Sequence, residues 1–420
     1  MKKIIAVFII TISLFTVLPF TKTYAENLEV SAQSAALIDC RTGQILYEKN
    51  ADQKMFPASI TKILTAIIAL ENSNLNESAT AGNDILGTDG NKIFIQPGEI
   101  LSVKDLLYSL LLSSANDAAV VIADHVGGST DDFAKMMNKK AADIGATNTH
   151  FTNPNGLHDD NHYTTARDMA LIANYAMKNE TFRKIVNTQK YVVNPTNKFD
   201  EERILYTENK LIKNSRYHYK GADGVKTGYT KKARHTLVAS ASKNGHRLIS
   251  VIMGDEGNKM WEDSTNLLNY GFSNYRVVTI SKKDQTVGTM NFKNLKIPLV
   301  TNKNVLASMP LDKNTITKKI SLNDDISLPI QAGTSLGKLK YYADDMYLGE
   351  ADLITNNSYQ KNWLGRVKQI NAEISNTSDG SNKKLKVFVT VSVLLVIYII
   401  MHTIKSCHRK KYIFKKTNRR

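Results

Sequence analysis

Three short runs, far apart in the chain, carry side chains able to do acyl chemistry. Ser59-Ile60-Thr61-Lys62 sets a hydroxyl and an amine three positions apart, and on a helix such positions share a face. A serine hydroxyl is a weak nucleophile until a neighbouring base takes its proton. Lysine serves as that base only when its pKa falls well below ~10.4, through burial and a nearby cation. The apolar residues around Lys62 offer the burial, and Lys226 offers the cation. Ser114-Ala115-Asn116 adds a hydroxyl suited to proton relay toward a leaving amine, and an amide suited to hold a substrate carbonyl and Lys62. Lys226-Thr227-Gly228 presents a charge and a hydroxyl to a substrate carboxylate, with a glycine where substrate backbone can come close. Taken singly, each run also reads as ordinary structure: a surface lysine on a helix, loop residues capping the next helix, a turn. Their order and settings together favour chemistry.

The elements that must position these residues are legible in outline. Ser34 to Asp39 and Gln44 to Tyr47 read as two short strands joined through Arg41-Thr42-Gly43. Ser59 to Leu70 is helix-length and rich in Ile, Leu and Ala, with Pro57 just ahead. Ser102 and Thr165 each open a capping-box pattern, for helices running to Leu112 and to about Met177, and Asp117 to Val126 reads as a helix closed by Gly127-Gly128. His235 to Ala241 and Arg247 to Gly254 flank an Asn244-Gly245 hairpin signal, with a helix following over Asn258 to Tyr270. Strands at both ends with helices between them predict an α/β (α+β) fold: one antiparallel sheet built from both ends and covered by helices. From Tyr275 onward, short runs at Val277 to Ile280, Leu295 to Val300 and Ile326 to Ile330 predict a small all-β domain.

The three motifs are the signature of penicillin-binding proteins and serine β-lactamases. With Ala36-Leu37-Ile38-Asp39, Asn153-Pro154-Asn155-Gly156-Leu157 and Asp223-Gly224-Val225 around them, the chain resembles the low-molecular-mass D-alanyl-D-alanine carboxypeptidases, firmly over 32–271 and more loosely beyond. The resemblance implies that Ser59 attacks the penultimate D-Ala carbonyl of a peptidoglycan stem peptide, that water hydrolyses the resulting ester, and that β-lactam antibiotics acylate the same serine. It implies catalytic roles for Ser59, Lys62, Ser114 and Asn116, and substrate binding by Lys226, Thr227, Gly228 and Tyr229. Backbone N–H groups of Ser59 and Tyr229 would then form the oxyanion hole. Tyr229 stands where some relatives carry His, which bears on pH response or rate. No cofactor or metal is called for: the histidines are scattered, and His158 and His162 lack the further ligands of a zinc set.

Rival functions require features that are hard to find. A class A β-lactamase would carry a deacylating Glu in an E-x-x-L-N pattern after Ser114-Ala115-Asn116, and none lies between Asn116 and Lys226. A β-lactam sensor would need a cytoplasmic output domain, for which the sixteen residues after Ile404 give little room. A wall-binding protein without turnover would have no use for Ser59, Lys62 and Lys226 together. Transpeptidase or endopeptidase activity uses the same constellation and stays open.

The ends of the chain speak to location. Lys2 and Lys3, an apolar run from Ile4 to Phe20, and small residues around Ala25 predict a signal peptide over 1–25. From Val387 to Ile404 there is no Asp, Glu, Lys or Arg, and a helix of that length spans ~27 Å, near the ~30 Å hydrocarbon core. The eight Lys or Arg residues that follow, with no acid among them, predict a cytoplasmic tail over 405–420. The expected order is therefore a serine peptidase domain at 26–274, the β domain at 275–370, a polar stalk at 371–386, the membrane-spanning helix and the tail, with the catalytic part outside the cell membrane. These flanks also carry most of the +16 net charge, leaving about +5 for the rest, so nucleic-acid binding is not implied. The two cysteines, Cys40 and Cys407, fall on opposite sides of that membrane and cannot pair; Cys40 reads as a small packing residue.

Overall fold

The computed structural model describes residues 28–360. The expected signal peptide, stalk, membrane helix and basic tail, and the last ten residues of the expected β domain, lie outside them. Among the described residues no helix is long and apolar enough to cross a membrane.

The chain opens with strands β1 (Ser34–Asp39) and β2 (Ile45–Lys49), then a 3₁₀ turn over Ala58–Thr61 that runs directly into helix α1 (Lys62–Asn72). Next come the short strands β3 (Ser78–Thr80) and β4 (Ile100–Ser102), and helices α2 (Val103–Leu112), α3 (Asn116–Gly127), α4 (Thr130–Ile144), α5 (Ala166–Ala176) and α6 (Glu180–Val186). A small hairpin, β5 (Lys190–Val193) with β6 (Arg203–Tyr206), leads to β7 (Ala222–Thr230), β8 (Arg234–Lys243) and β9 (His246–Asp255). Helix α7 (Lys259–Asn274) closes this region.

The main sheet is antiparallel in the order β2-β1-β9-β8-β7, so its first and last strands in sequence are brought together as expected. Side chains alternate across it with the period of two that a strand imposes. From β1, Ala36 and Ile38 join the core beneath the helices, whereas Ala35 and Leu37 join the core beneath α7. From β9, Ile249 and Val251 go to the first core and Leu248 and Ile252 to the second. The sheet is thus the middle of three layers. Asn244 and Gly245, both at positive φ (52° and 75°), make the tight turn between β8 and β9.

Every residue of α1 from Lys62 to Ala69 is buried. A helix apolar on all sides belongs in the centre of a helical layer, and this one carries a lysine into that centre. The capping boxes form as expected: Asp105 N donates to Ser102 Oγ at 3.0 Å and Asp168 N to Thr165 Oγ1 at 3.0 Å. Two expectations need correction. Ser59 does not open an α-helix but sits in the 3₁₀ turn before it, a common way for a helix to begin. The final helix runs four residues beyond Tyr270, to Asn274.

Beyond α7, the regular elements among the described residues are all β strands. Strands β10 (Tyr275–Ser281), β11 (Thr286–Phe292), β12 (Leu295–Thr301), β13 (Val305–Pro310), β14 (Thr317–Leu322), β15 (Ser335–Ala343) and β16 (Met346–Ile354) form a β10-β13 pair and a five-stranded sheet ordered β11-β12-β16-β15-β14. Ser308 of β13 donates to the buried Asp39 carboxylate at 2.6 Å and lies 2.7 Å from Thr42 Oγ1, so polar bonds fasten this strand to the β1–β2 turn. Among the described residues, Asn323–Thr334 and 355–360 group as a separate unit. Within it, Ile330 and Tyr359 exchange backbone hydrogen bonds of 2.9 and 2.7 Å. The expected strand at Ile326 to Ile330 is reduced to that single bridge at Ile330. Pro329 has no N–H to donate to a ladder there.

Candidate active site

Ser59, Ser114, Asn116, Thr227, Gly228 and Tyr229 line one cleft of about 600 Å³, with Lys62 and Lys226 buried in its floor. All eight residues singled out from the sequence are brought together.

Three elements meet there. The first is the turn carrying Ser59. Ala58 holds a positive φ of 52°, a conformation an alanine adopts only where its surroundings impose it. Thr236 Oγ1 donates to Pro57 O at 2.9 Å and fixes the approach to the turn. The second is the connection into α3, where Ser114 has a φ of 58° and is nearly fully buried. The third is β7, which lies at the edge of the sheet, so part of its backbone hydrogen-bonding capacity faces the cleft rather than a neighbour.

Gly228 has a sharper reason to be glycine than room for substrate. A Cβ at that position would lie 2.7 Å from Ser59 N and 2.5 Å from Thr236 Oγ1, so it is the serine turn itself that packs against the strand. A Cβ on Gly156 would meet Ala58 O at 2.0 Å, which brings the Asn155-Gly156 loop against the same turn from the other side.

The Lys62 amine is held by three oxygens: Ser59 Oγ at 2.9 Å, Asn116 Oδ1 at 2.7 Å and the Asn155 carbonyl at 2.6 Å. Two of these can only accept. A neutral amine has two N–H bonds and one lone pair. Donating to Asn116 and Asn155 therefore leaves the lone pair facing the Ser59 hydroxyl. Burial, and then the charge of Lys226, drive the Lys62 pKa well below its ordinary value and favour that neutral form. Asn116 is itself locked, donating from Nδ2 to Asp89 O at 2.6 Å and from its backbone N to Asn91 O at 2.7 Å. Lys226 donates to Thr227 O at 3.0 Å; burial lowers its pKa, and the Glu208 carboxylate only partly offsets this.

Sequence reasoning missed three supports. The Asn155 carbonyl sits in the noticed Asn153–Leu157 stretch, but a backbone acceptor leaves no mark in residue type. His162 lies behind the site. Burial pushes its pKa down to about 3, and its Nδ1 accepts from Thr152 N at 3.0 Å, so the proton rests on Nε2, which donates to Thr61 Oγ1 at 2.9 Å. Glu208 accepts a hydrogen bond from Thr227 Oγ1 at 3.0 Å and lies in no motif. Cys40 packs against the core as expected, and burial pushes its thiol up to about 12.

A serine facing a buried lysine whose surroundings favour its neutral form, beside a strand edge carrying a cation and a hydroxyl, defines a serine acyl-enzyme hydrolase. The D-alanyl-D-alanine carboxypeptidase family profile matches residues 21–257, and the profile of the penicillin-binding protein 5 C-terminal domain matches 275–361. D-alanyl-D-alanine carboxypeptidase DacF of Bacillus subtilis is 35% identical over 86% of this chain and 95% of its own. Penicillin-binding protein 5 of Haemophilus influenzae superposes with a TM-score of 0.69 at 28% identity, covering 79% of this chain and 98% of that one. The Streptomyces K15 DD-transpeptidase superposes at 0.55 with 31% identity, over 58% of this chain and 98% of that one. The chain belongs to the D-alanyl-D-alanine carboxypeptidase family of low-molecular-mass penicillin-binding proteins, and it is a serine-type D-Ala-D-Ala carboxypeptidase with a C-terminal all-β domain.

Proposed function

We propose that Ser59 and Lys62 carry the reaction, on stem peptides ending in D-Ala-D-Ala, in a protein held at the outer face of the cell membrane. The observation that carries the reading is the Lys62 amine, with two fixed acceptors for its protons and its remaining position 2.9 Å from Ser59 Oγ.

The peptide lies along the β7 edge with its terminal carboxylate toward Lys226 and Thr227. Lys62 takes the Ser59 proton as Oγ bonds to the penultimate D-Ala carbonyl carbon. Backbone N–H groups of Ser59 and Tyr229 receive the oxyanion. The proton passes from Lys62 through the Ser114 hydroxyl to the amide nitrogen, the C–N bond breaks, and D-Ala leaves as a free amine. Water then attacks the ester, Lys62 accepts its proton, and the proton returns to Ser59 Oγ as the acid is released. A β-lactam opens by the same first step, with its leaving nitrogen still tethered.

Location rests on residues 1–25 as a cleaved signal and 387–404 as the anchor, supported by the charge-free apolar run and the basic tail. The likeness to a DD-transpeptidase supports a second acceptor, an amine in place of water. The test is D-Ala release from a pentapeptide by wild type and Ser59→Ala, with and without an added acceptor amine. Release by wild type alone is expected, with hydrolysed tetrapeptide as the main product. Release by the variant would remove Ser59 from the mechanism.

A further inference from the structure

The anchor assigned above to the substrate's terminal carboxylate already holds a carboxylate. Glu208 Oε2 accepts from Thr227 Oγ1 at 3.0 Å and lies 3.7 Å from Lys226 Nζ, while its Oε1 accepts from Asn91 Nδ2 at 3.1 Å. Asn91 comes from the β3–β4 connection, whose Asn91 carbonyl accepts from Asn116 N at 2.7 Å, and Thr227 from β7, so Glu208 clasps the two walls of the cleft together.

Resting on the carboxypeptidase reading of the site, we infer that Glu208 is an internal occupant of the carboxylate anchor, a specificity-determining residue that the substrate's terminal carboxylate must displace. Thr227 has one hydroxyl proton, and it cannot serve Glu208 and a ligand carboxylate at once. Lys226 is 1% exposed and cannot move out to meet a ligand, whereas the Glu208 side chain is 42% exposed and can turn into solvent once it gives up its bonds to Thr227 and Asn91. Displacement is therefore feasible, and its cost falls on the incoming anion. The Glu208 charge also offsets that of Lys226, weakening the field that draws an anion to this end of the cleft and adding direct repulsion between two carboxylates. A substrate whose terminus is a carboxamide meets no such repulsion and has its own N–H to offer Glu208. Glu208 thereby narrows the advantage of free-acid peptides over neutral-ended ones.

The test compares an acylated D-Ala-D-Ala peptide with its C-terminal carboxamide, measuring release of D-Ala or D-alaninamide by wild type, Glu208→Gln and Glu208→Ala. Gln keeps the shape and removes the charge; Ala removes both. The ratio of kcat/KM for acid over amide should rise about tenfold in both variants, carried mainly by KM for the acid. A ratio unchanged within about twofold, or one that falls, would show that Glu208 only holds Lys226 and Thr227 in place and would overturn the inference alone. Wild type inert on both peptides would overturn the carboxypeptidase reading, and the inference with it.

Discussion

Lys62 carries the chemistry because of where its protons can go. Two carbonyl-type acceptors and a serine leave a tetrahedral amine one open lone pair, and a buried ammonium among them would cost several kcal/mol in desolvation. Protonated Lys62 cannot take the Ser59 proton, so acylation should rise with pH as Lys62 loses its proton. Burial and the Lys226 charge both move that rise to lower pH. Removing the cation with Lys226→Gln should therefore shift the acid limb of penicillin acylation upward by about one pH unit, while Lys226→Arg leaves it near the wild-type position. Pre-steady-state acylation rates across pH measure this. A downward shift would mean that Lys226 acts on Lys62 in some other way.

At the scale of elements, the site depends on three backbones meeting without side chains between them. Gly228→Ala would push a methyl to 2.7 Å from Ser59 N, forcing β7 and the serine turn apart. Small shifts at a reacting centre cost rate steeply, and acylation should fall about a hundredfold with only a modest loss of thermal stability. Unaltered acylation would show that this close approach is not needed. The motifs marked the chemical side chains, and the apolar periods and capping boxes marked the main sheet and most of the helices around them. Less legible was α4, which fully buries only Phe133, Ala134, Met137 and Ala141, with Met136 and Ile144 half-buried against the core, so its apolar stripe is thin. The β3–β4 pairing and the β5–β6 hairpin join short strands whose residues carry little pattern of their own. The 3₁₀ turn at Ser59 arises from packing by Gly156 and Gly228, which lie about a hundred residues or more away in the chain.

For the whole molecule, the proposed membrane tether would restrict the enzyme to substrate near the membrane. If 387–404 is the anchor, a chain ending at 386 should appear in the soluble fraction and keep its D-Ala release from small peptides, while the full chain sediments with membranes and resists salt extraction. Full retention of the shortened chain on membranes would place the anchor elsewhere. The edge strand β7 and the edge strand β14 meet different needs. β7 presents the KTG residues to a cleft, whereas β14 is exposed along its whole length and carries Lys318 and Lys319, charges of the kind that discourage strand-to-strand association.

The central claim is a covalent bond at Ser59 formed with Lys62 as base. Its most direct measurement is peptide mapping by mass spectrometry after brief exposure to a penicillin, on wild type, Ser59→Ala and Lys62→Arg. One adduct is expected, on the peptide containing Ser59 in wild type, with none in Ser59→Ala and labelling slowed by at least about a hundredfold in Lys62→Arg, whose guanidinium stays protonated. An adduct on another residue, or wild-type labelling rates in Lys62→Arg, would contradict that claim.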